Sequence, residues 1–105
     1  HGIGAALYEK FAYRPDGQFE SATFADYLMP SVYEVPMVKD VDHCTPSPLT
    51  SHGQKGSGEG GYLGAPAAIA SAVNDALYPR GVSIYELPMR SHLIEDLLNG
   101  GKTNP

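Results

Sequence analysis

The stretch from Ser51 to Gly64 constrains this chain more than any other. It is built almost wholly of small and polar residues, and five of the nine positions from 53 to 61 are glycine. Glycine loses more backbone freedom on ordering than any other residue and brings no side chain to a core. No packed element is expected there, so the stretch reads as a long loop. Its approach, Thr45-Pro46-Ser47-Pro48, is expected to be extended, because proline disfavours helix in the residue before it. The core must come from the segments on either side.

On the N-terminal side, Ile3, Leu7 and Phe11 recur at helical spacing and predict a helix over residues 4–11. Pro15-Asp16-Gly17 is turn chemistry: proline presets one backbone angle and glycine accepts a positive one, so a hairpin is expected around Tyr13 to Phe19. Phe24 to Tyr33 is rich in aromatic residues and fits neither period cleanly. Val35 to Asp42 reads as a strand, which Pro36 confines to a strand start or a sheet edge. On the C-terminal side, Pro66 suits a first helical turn. Ile69, Val73, Ala76 and Leu77 form the apolar stripe of that helix, a core face stopped by Pro79 and Gly81. Val82 to Leu87 reads as a second strand. Ser91 is the expected cap of a last helix with Leu93, Ile94, Leu97 and Leu98 on one face, closed by Asn99-Gly100. The order helix, hairpin, strand, long loop, helix, strand, helix predicts an α+β fold in one unit over residues 1–105, without regular βαβ alternation.

Length and charge narrow the function classes. A chain of 105 residues is one domain at most. Twelve acidic residues against seven basic ones give a net charge of -5, and the basic residues are scattered. A nucleic-acid partner, which needs a basic patch, is therefore not expected. The one cysteine, Cys44, excludes a disulfide framework and any multi-cysteine zinc or iron–sulfur site made by this chain alone. Free cysteine usually behaves as a small buried hydrophobe, and Cys44 is read that way. His43 and Cys44 supply two adjacent ligand types, which do not make a metal site; His52 is read as a polar loop residue. No apolar run approaches the roughly 20 residues of a membrane span, and a cytoplasmic location is expected. The chain opens on His1-Gly2-Ile3-Gly4 without a methionine and enters a helical pattern at once, which reads as a fragment of a longer chain or a processed product.

The chemistry concentrates in Lys55-Gly56-Ser57-Gly58-Glu59-Gly60-Gly61. Glycines on both sides of one carboxylate clear side-chain bulk from around it and let backbone N–H groups approach a bulky anion. The helix that follows favours negative charge at its N-terminus. One short segment can thus hold a phosphate-bearing cofactor and present a carboxylate beside it. The plainer reading is a turn-rich loop with a solvated glutamate. Gly56 to Gly61 also matches G-x-G-x-x-G, but a dinucleotide site needs a strand directly before it and an acidic residue ending a second strand about 20 residues on. Here a proline-rich loop precedes it, and Asp75 falls within a helical pattern. A Walker loop has its lysine after the last glycine, whereas Lys55 comes first.

Taken together, the segments are more specific than any one of them. His1-Gly2-Ile3-Gly4-Ala5-Ala6-Leu7-Tyr8-Glu9, Asp26-Tyr27-Leu28-Met29-Pro30 and Thr45-Pro46-Ser47-Pro48-Leu49-Thr50 precede the glycine loop. Gly64-Ala65-Pro66-Ala67-Ala68-Ile69-Ala70 and Ile84-Tyr85-Glu86-Leu87-Pro88 follow it. In this order the chain resembles the C-terminal part of the molybdopterin-binding large subunit of the xanthine dehydrogenase and aerobic carbon monoxide dehydrogenase family of molybdenum hydroxylases. The family commonly has glutamine at the positions of His1 and Ala5. Carbon monoxide dehydrogenases proper usually place Ser-Ala-like residues where this chain has Gly60-Gly61, and they need an active-site cysteine loop that this chain does not contain.

The resemblance implies a site. Glu59 stands at the position of the catalytic base. Gly56, Ser57 and Gly58 match the loop whose backbone lies against the cofactor, Gly2 and Gly4 match another cofactor-lining segment, and Lys55 is placed to contact a phosphate. The implied cofactor is a molybdenum–pterin, as molybdopterin or its cytosine dinucleotide. FAD and iron–sulfur clusters are implied on partner subunits or domains, and the rest of the large subunit as a further partner. The implied reaction oxidises a small carbon substrate (an aldehyde, an N-heterocycle or a purine, with carbon monoxide less favoured) using oxygen from water. The isolated chain is expected to be inactive. Two other readings remain open at this level: a non-enzymatic structural or interaction remnant of the same fold, and an unrelated nucleotide-binding module using the glycine loop.

Overall fold

The computed structural model describes residues 1–100, so the last five positions of the expected unit lie outside the described residues. Four helices carry the fold: α1 (Gly2–Leu7), α2 (Gly60–Leu63), α3 (Ala65–Leu77) and α4 (Ser91–Leu98), with a 3₁₀ turn at Tyr78–Arg80. The β structure among the described residues is one isolated antiparallel bridge, Tyr13 to Phe19.

That bridge closes the expected hairpin. Gly17 takes a φ of 85°, its N–H donates to the Arg14 carbonyl at 2.9 Å, and the Asp16 carboxylate accepts from the Gln18 N–H at 3.0 Å. Phe11 then stacks on both Phe19 and Tyr27, with ring centroids 5.6 and 5.4 Å away. This explains why α1 stops short of the predicted residue 11. After Leu7 the chain turns at Tyr8, where φ is -128°, and Phe11 leaves the helical stripe for the aromatic cluster.

Helix α3 follows its sequence signals closely. Pro66 lies in its first turn, and Gly81 ends the following 3₁₀ turn in the left-handed region at φ 68°. Leu77, Ile84 and Met89 form the buried core, flanked by Leu7, Val73, Leu93, Ile94 and Leu97. The last helix differs at its start: Ser91 is its first residue, and extended Arg90 is the cap, with no side-chain cap bond. Its end is as expected, with Gly100 at φ 82°.

Neither expected strand forms a ladder, so the regular structure among the described residues is helical, and the sheet of the expected α+β fold does not form among them. Val82 to Leu87 runs past α3 without a strand beside it. The Asn74 side chain takes the place of one: its amide nitrogen donates to the Ile84 carbonyl at 2.8 Å, and its oxygen accepts the Ile84 N–H at 2.7 Å. Residues 31–46 are exposed throughout, and the expected strand at Val35 to Asp42 has nothing to pair with. Cys44 lies on this segment and is exposed rather than buried, for the same reason.

The chain is spread out. Its radius of gyration is 17.7 Å, against about 13 Å for a compact domain of this length. Its accessible surface is 8682 Å², where a folded monomer of this mass exposes about 5,700 Å². No helix among the described residues is long and apolar enough to cross a membrane.

The Asn74 bond pair yields a test. Asn74→Ala strands a part-buried N–H and carbonyl of Ile84 and should lower stability by about 1–3 kcal/mol. Denaturant unfolding of the protein would read this as a lower midpoint. An unchanged midpoint would mean that water replaces the amide at no cost.

Candidate functional site

The glycine loop has two unlike halves. From Thr45 to Lys55 it is stitched to itself. The Ser47 N–H donates to the Gly53 carbonyl at 2.9 Å, and the Gly53 N–H to the Thr50 carbonyl at 3.2 Å. The Thr50 hydroxyl donates to the Gln54 carbonyl at 3.0 Å, and the Lys55 ammonium to the Thr45 hydroxyl at 2.9 Å. Gly53 needs its φ of 70° here, and a Cβ on it would sit 2.8 Å from Pro46 Cβ. So His52, three residues before Lys55, belongs to a self-bonded turn: its N–H donates to the Gln54 side chain at 3.1 Å.

From Gly56 to Gly58 the loop is bare. A Cβ built on Gly56 or Gly58 meets nothing within 4 Å. Among the described residues the N–H groups of Gly56, Ser57 and Gly58 have no hydrogen-bond acceptor. Glu59 then starts α2: its carbonyl accepts from the Tyr62 and Leu63 N–H groups at 2.9 and 3.1 Å. Its carboxylate makes no capping bond and is exposed. Gly64 joins α2 to α3 almost without interruption, its carbonyl accepting the Ala68 N–H at 3.0 Å. The helical start beside the bare loop is therefore at Glu59, earlier than the sequence suggested, because the Gly60-Gly61 pair is drawn into a helical turn.

The N-terminal segment comes to the base of this loop. Gly2 is buried, and a Cβ there would fall on the Ala65 side chain and lie 3.3 Å from the Gly61 carbonyl oxygen. Gly4 sits deeper: a Cβ would run into the Glu9 carboxylate and lie 3.0 Å from Pro30 Cδ. Gly2 thus adjoins the loop, while Gly4 makes room for its own chain.

One tie escapes a residue-by-residue reading. The Tyr27 hydroxyl donates to the Glu9 carboxylate at 2.7 Å. That bond, then burial and the glutamate's charge, hold the Tyr27 phenol above its ordinary pKa. Both residues line a small hollow of about 230 Å³ with Ala5 and Tyr62. Glu9 and Tyr27 stand in two of the motif segments quoted above, which was the available signal.

Two further readings can be judged on this geometry. The segment before Gly56 is a bonded turn and no strand, and Asp75 lies within α3. Both differ from what a dinucleotide-binding turn requires. Among the described residues no three His, Cys, Asp or Glu side chains gather into a metal-binding group.

Comparison with known proteins follows the same line. Residues 1–36 match the family described as a molybdopterin cofactor-binding domain. The chain is 46% identical over 88 residues to the nicotine 6-hydroxylase large subunit of Paenarthrobacter nicotinovorans, covering 83% of this chain and 11% of that one. It is 48% identical over 89 residues to subunit gamma of the 6-hydroxypseudooxynicotine dehydrogenase complex of the same organism, covering 84% and 11%. The crystal structure of quinoline 2-oxidoreductase from Pseudomonas putida 86 superimposes with a TM-score of 0.86 at 37% identity, over 96% of this chain and 13% of that chain. The chain thus spans about a tenth of the length of the curated relatives it matches.

The two kinds of glycine should respond differently to a side chain. Gly2→Val drives a branched group into Ala65 and should cost about 1–3 kcal/mol of stability, the usual penalty of overpacking. Gly58→Val enters open space and should leave the thermal midpoint of the protein unchanged. Equal midpoints for the two variants would contradict the close approach at Gly2.

Proposed function

This chain belongs to the molybdopterin-binding large-subunit family of molybdenum hydroxylases, and we propose that within such a subunit it supplies the catalytic base, Glu59, and part of the cofactor lining. The observation that carries this reading is the contrast inside one loop. A self-bonded half positions Lys55, and a bare half offers unengaged N–H groups and ends in an unengaged carboxylate.

The residues present fit a bulky anionic cofactor. Gly56 and Gly58 have room on the side where a Cβ would stand, so backbone can approach closely. The N–H groups of Gly56, Ser57 and Gly58 are donors for anionic oxygens, with Ser57 adding a hydroxyl. Lys55 brings a cation whose only bond is to a neutral hydroxyl. Among the described residues the one ion pair is Arg14 with Glu20, so no carboxylate neutralises Lys55. Of the neighbouring segment, Gly2 lies directly against the base of the loop, while Gly4 lets that segment pack on Glu9 and Pro30.

When bound, the molybdenum–pterin supplies a two-electron acceptor and a Lewis acid for water-derived oxygen. The part of Glu59 is proton transfer. A general base must be ionised and within hydrogen-bond reach of its proton. Its carboxylate projects from a helical start and is tied to nothing else. Across the reaction one substrate C–H bond becomes a C–O bond, two electrons leave the substrate, and two protons are released. We assign the first proton to Glu59. The electrons are carried away by iron–sulfur clusters and FAD on partner subunits or domains, in keeping with the relatives' place in multi-subunit enzymes.

Within the family range, an N-heterocyclic substrate is favoured. Two of the matched proteins are named for nicotine and quinoline, whose rings contain nitrogen. A ring nitrogen makes the adjacent carbon electrophilic, as attack by an oxygen nucleophile requires.

In the complete enzyme, Glu59→Gln keeps size and backbone but cannot take the proton. Molybdenum content should be retained while turnover falls by at least about 10²–10⁴-fold. Turnover within a few-fold of wild type at full loading would remove Glu59 from the mechanism and favour a non-enzymatic remnant. Gly58→Val, harmless to the fold, should instead lower molybdenum content; normal loading would mean that the bare half of the loop does not line the cofactor.

A further inference from the structure

Helix α2 is too short to hold itself. It has four residues, and isolated helices of that length are not stable without tertiary support. Two of the four are glycine, each of which weakens a helix further. Its C-terminal end runs on into α3 through Gly64, but the end that carries Glu59 has no such continuation. The side chains available to grip it are Tyr62 and Leu63. Leu63 is 72% exposed and Tyr62 44%, so among the described residues the grip falls to Tyr62.

Tyr62 lines the hollow whose other polar members are Glu9 and Tyr27. That pair is fixed on several sides. Gly4 has no side chain, and the Glu9 carboxylate occupies the space where a Cβ would stand. The Tyr27 hydroxyl donates to Glu9 Oε2 at 2.7 Å, and the Phe11 and Tyr27 ring centroids are 5.4 Å apart. The Glu9 bond, then burial, the Glu9 charge and the neighbouring Tyr62 phenol raise the Tyr27 pKa, so its hydroxyl stays a donor. From Tyr62 the connection to the loop is direct: its N–H donates to the Glu59 carbonyl at 2.9 Å.

From this run of contacts we propose that the Glu9–Tyr27 pair braces the catalytic base: it fixes Tyr62 across the hollow, and the Tyr62 N–H in turn fixes the Glu59 backbone from which the carboxylate projects. Glu9, Tyr27 and Tyr62 are positioning residues, which act through Glu59 and take no part in the proton transfer. The proposal rests on the reading of Glu59 as the base. It adds a second carboxylate, brought from the far end of α1, to the support of the same step. A displacement of about 1 Å in a reacting group costs on the order of a hundredfold in rate, so a loose α2 is expensive.

Tyr27→Phe in the complete enzyme removes the bond and little else. In hydrogen exchange, the Tyr62 and Leu63 amides should open at least about tenfold faster while amides late in α3 are unchanged, as loss of one bond to a charged group predicts. Turnover per molybdenum should fall about tenfold with KM within about twofold. Where Glu59 is already glutamine, the further loss should be no more than about twofold, because the effect passes through that residue. Unchanged exchange overturns the brace. Faster exchange at undiminished turnover also overturns it and leaves a structural tie only. An equal loss in both backgrounds overturns it by placing the effect elsewhere than Glu59. Glu9→Gln keeps an oxygen for the Tyr27 hydroxyl and should stay within about threefold of wild type; a loss as deep as that of Tyr27→Phe overturns the brace, since charge and not the bond would carry the effect. Failure of the base reading is seen separately, as wild-type turnover of the single Glu59→Gln enzyme, and removes this proposal with it. Should Tyr27→Phe not fold, Tyr62→Ala removes the ring on which the pair acts, and the Leu63 amide and the same turnover comparison decide.

Discussion

Everything near the glycine loop depends on how closely α1 approaches the start of α3. The approach is set by residues with little or no side chain: Gly2 against Ala65, Gly4 beneath Glu9 and Pro30, and Ala6 wholly buried. Larger residues would push the axes apart, and the first segment would no longer reach the Gly61 carbonyl. The same crossing ties in the C-terminal half. The Met89 N–H donates to the Ala6 carbonyl at 2.7 Å, and the Arg90 guanidinium reaches the Tyr8 carbonyl at 3.3–3.4 Å. Residues more than 80 positions apart in sequence thus meet at one helix of six residues.

The loop itself divides its work between order and availability. A segment held by its own hydrogen bonds has already lost its entropy, so a ligand that meets it loses less on binding. The Thr45 to Lys55 half is of that kind. The Gly56 to Gly58 half keeps its donors unspent and its Cα faces clear, which is what a large anion needs and what an ordinary turn does not offer. Glu59 joins the two requirements: its backbone is fixed by the first turn of α2 while its carboxylate stays unengaged.

Local signals were legible in the sequence, and partner-dependent ones were not. Pro15-Asp16-Gly17, Pro66, Gly81 and Asn99-Gly100 each act within a few residues, and each holds its expected place. A strand needs a neighbour as well as a pattern. The runs at Val35 to Asp42 and Val82 to Leu87 specify extended chain, but the second is partnered by one asparagine and the first by nothing within these residues. The turn of helix at Gly60–Leu63 was invisible because two glycines open it, and propensity alone argues against them. The Glu9–Tyr27 bond spans 18 residues and could be seen only as two motif segments of unknown relation. For the site, the loop and its glutamate were legible, and the adjacency of Gly2 to the loop was not.

The small core sets a limit on what these residues accomplish alone. Catalytic groups must be held within about half an ångström of their working geometry by packed neighbours. Among the described residues only Leu77, Ile84 and Met89 form a buried cluster, at the end of α3 away from Glu59. Around the glutamate, Tyr62 and Leu63 are exposed, the latter by 72%. Apolar side chains beside a general base serve it when covered, because excluding water strengthens every electrostatic interaction at the site. The same exposed residues that make this region a poor isolated domain are the natural contact face for the remainder of a large subunit. With Glu59 as the base proposed above, cover on that face would give it the rigid, dry surroundings that proton transfer demands, and assembly of the subunit and activation of that base would follow from one burial event.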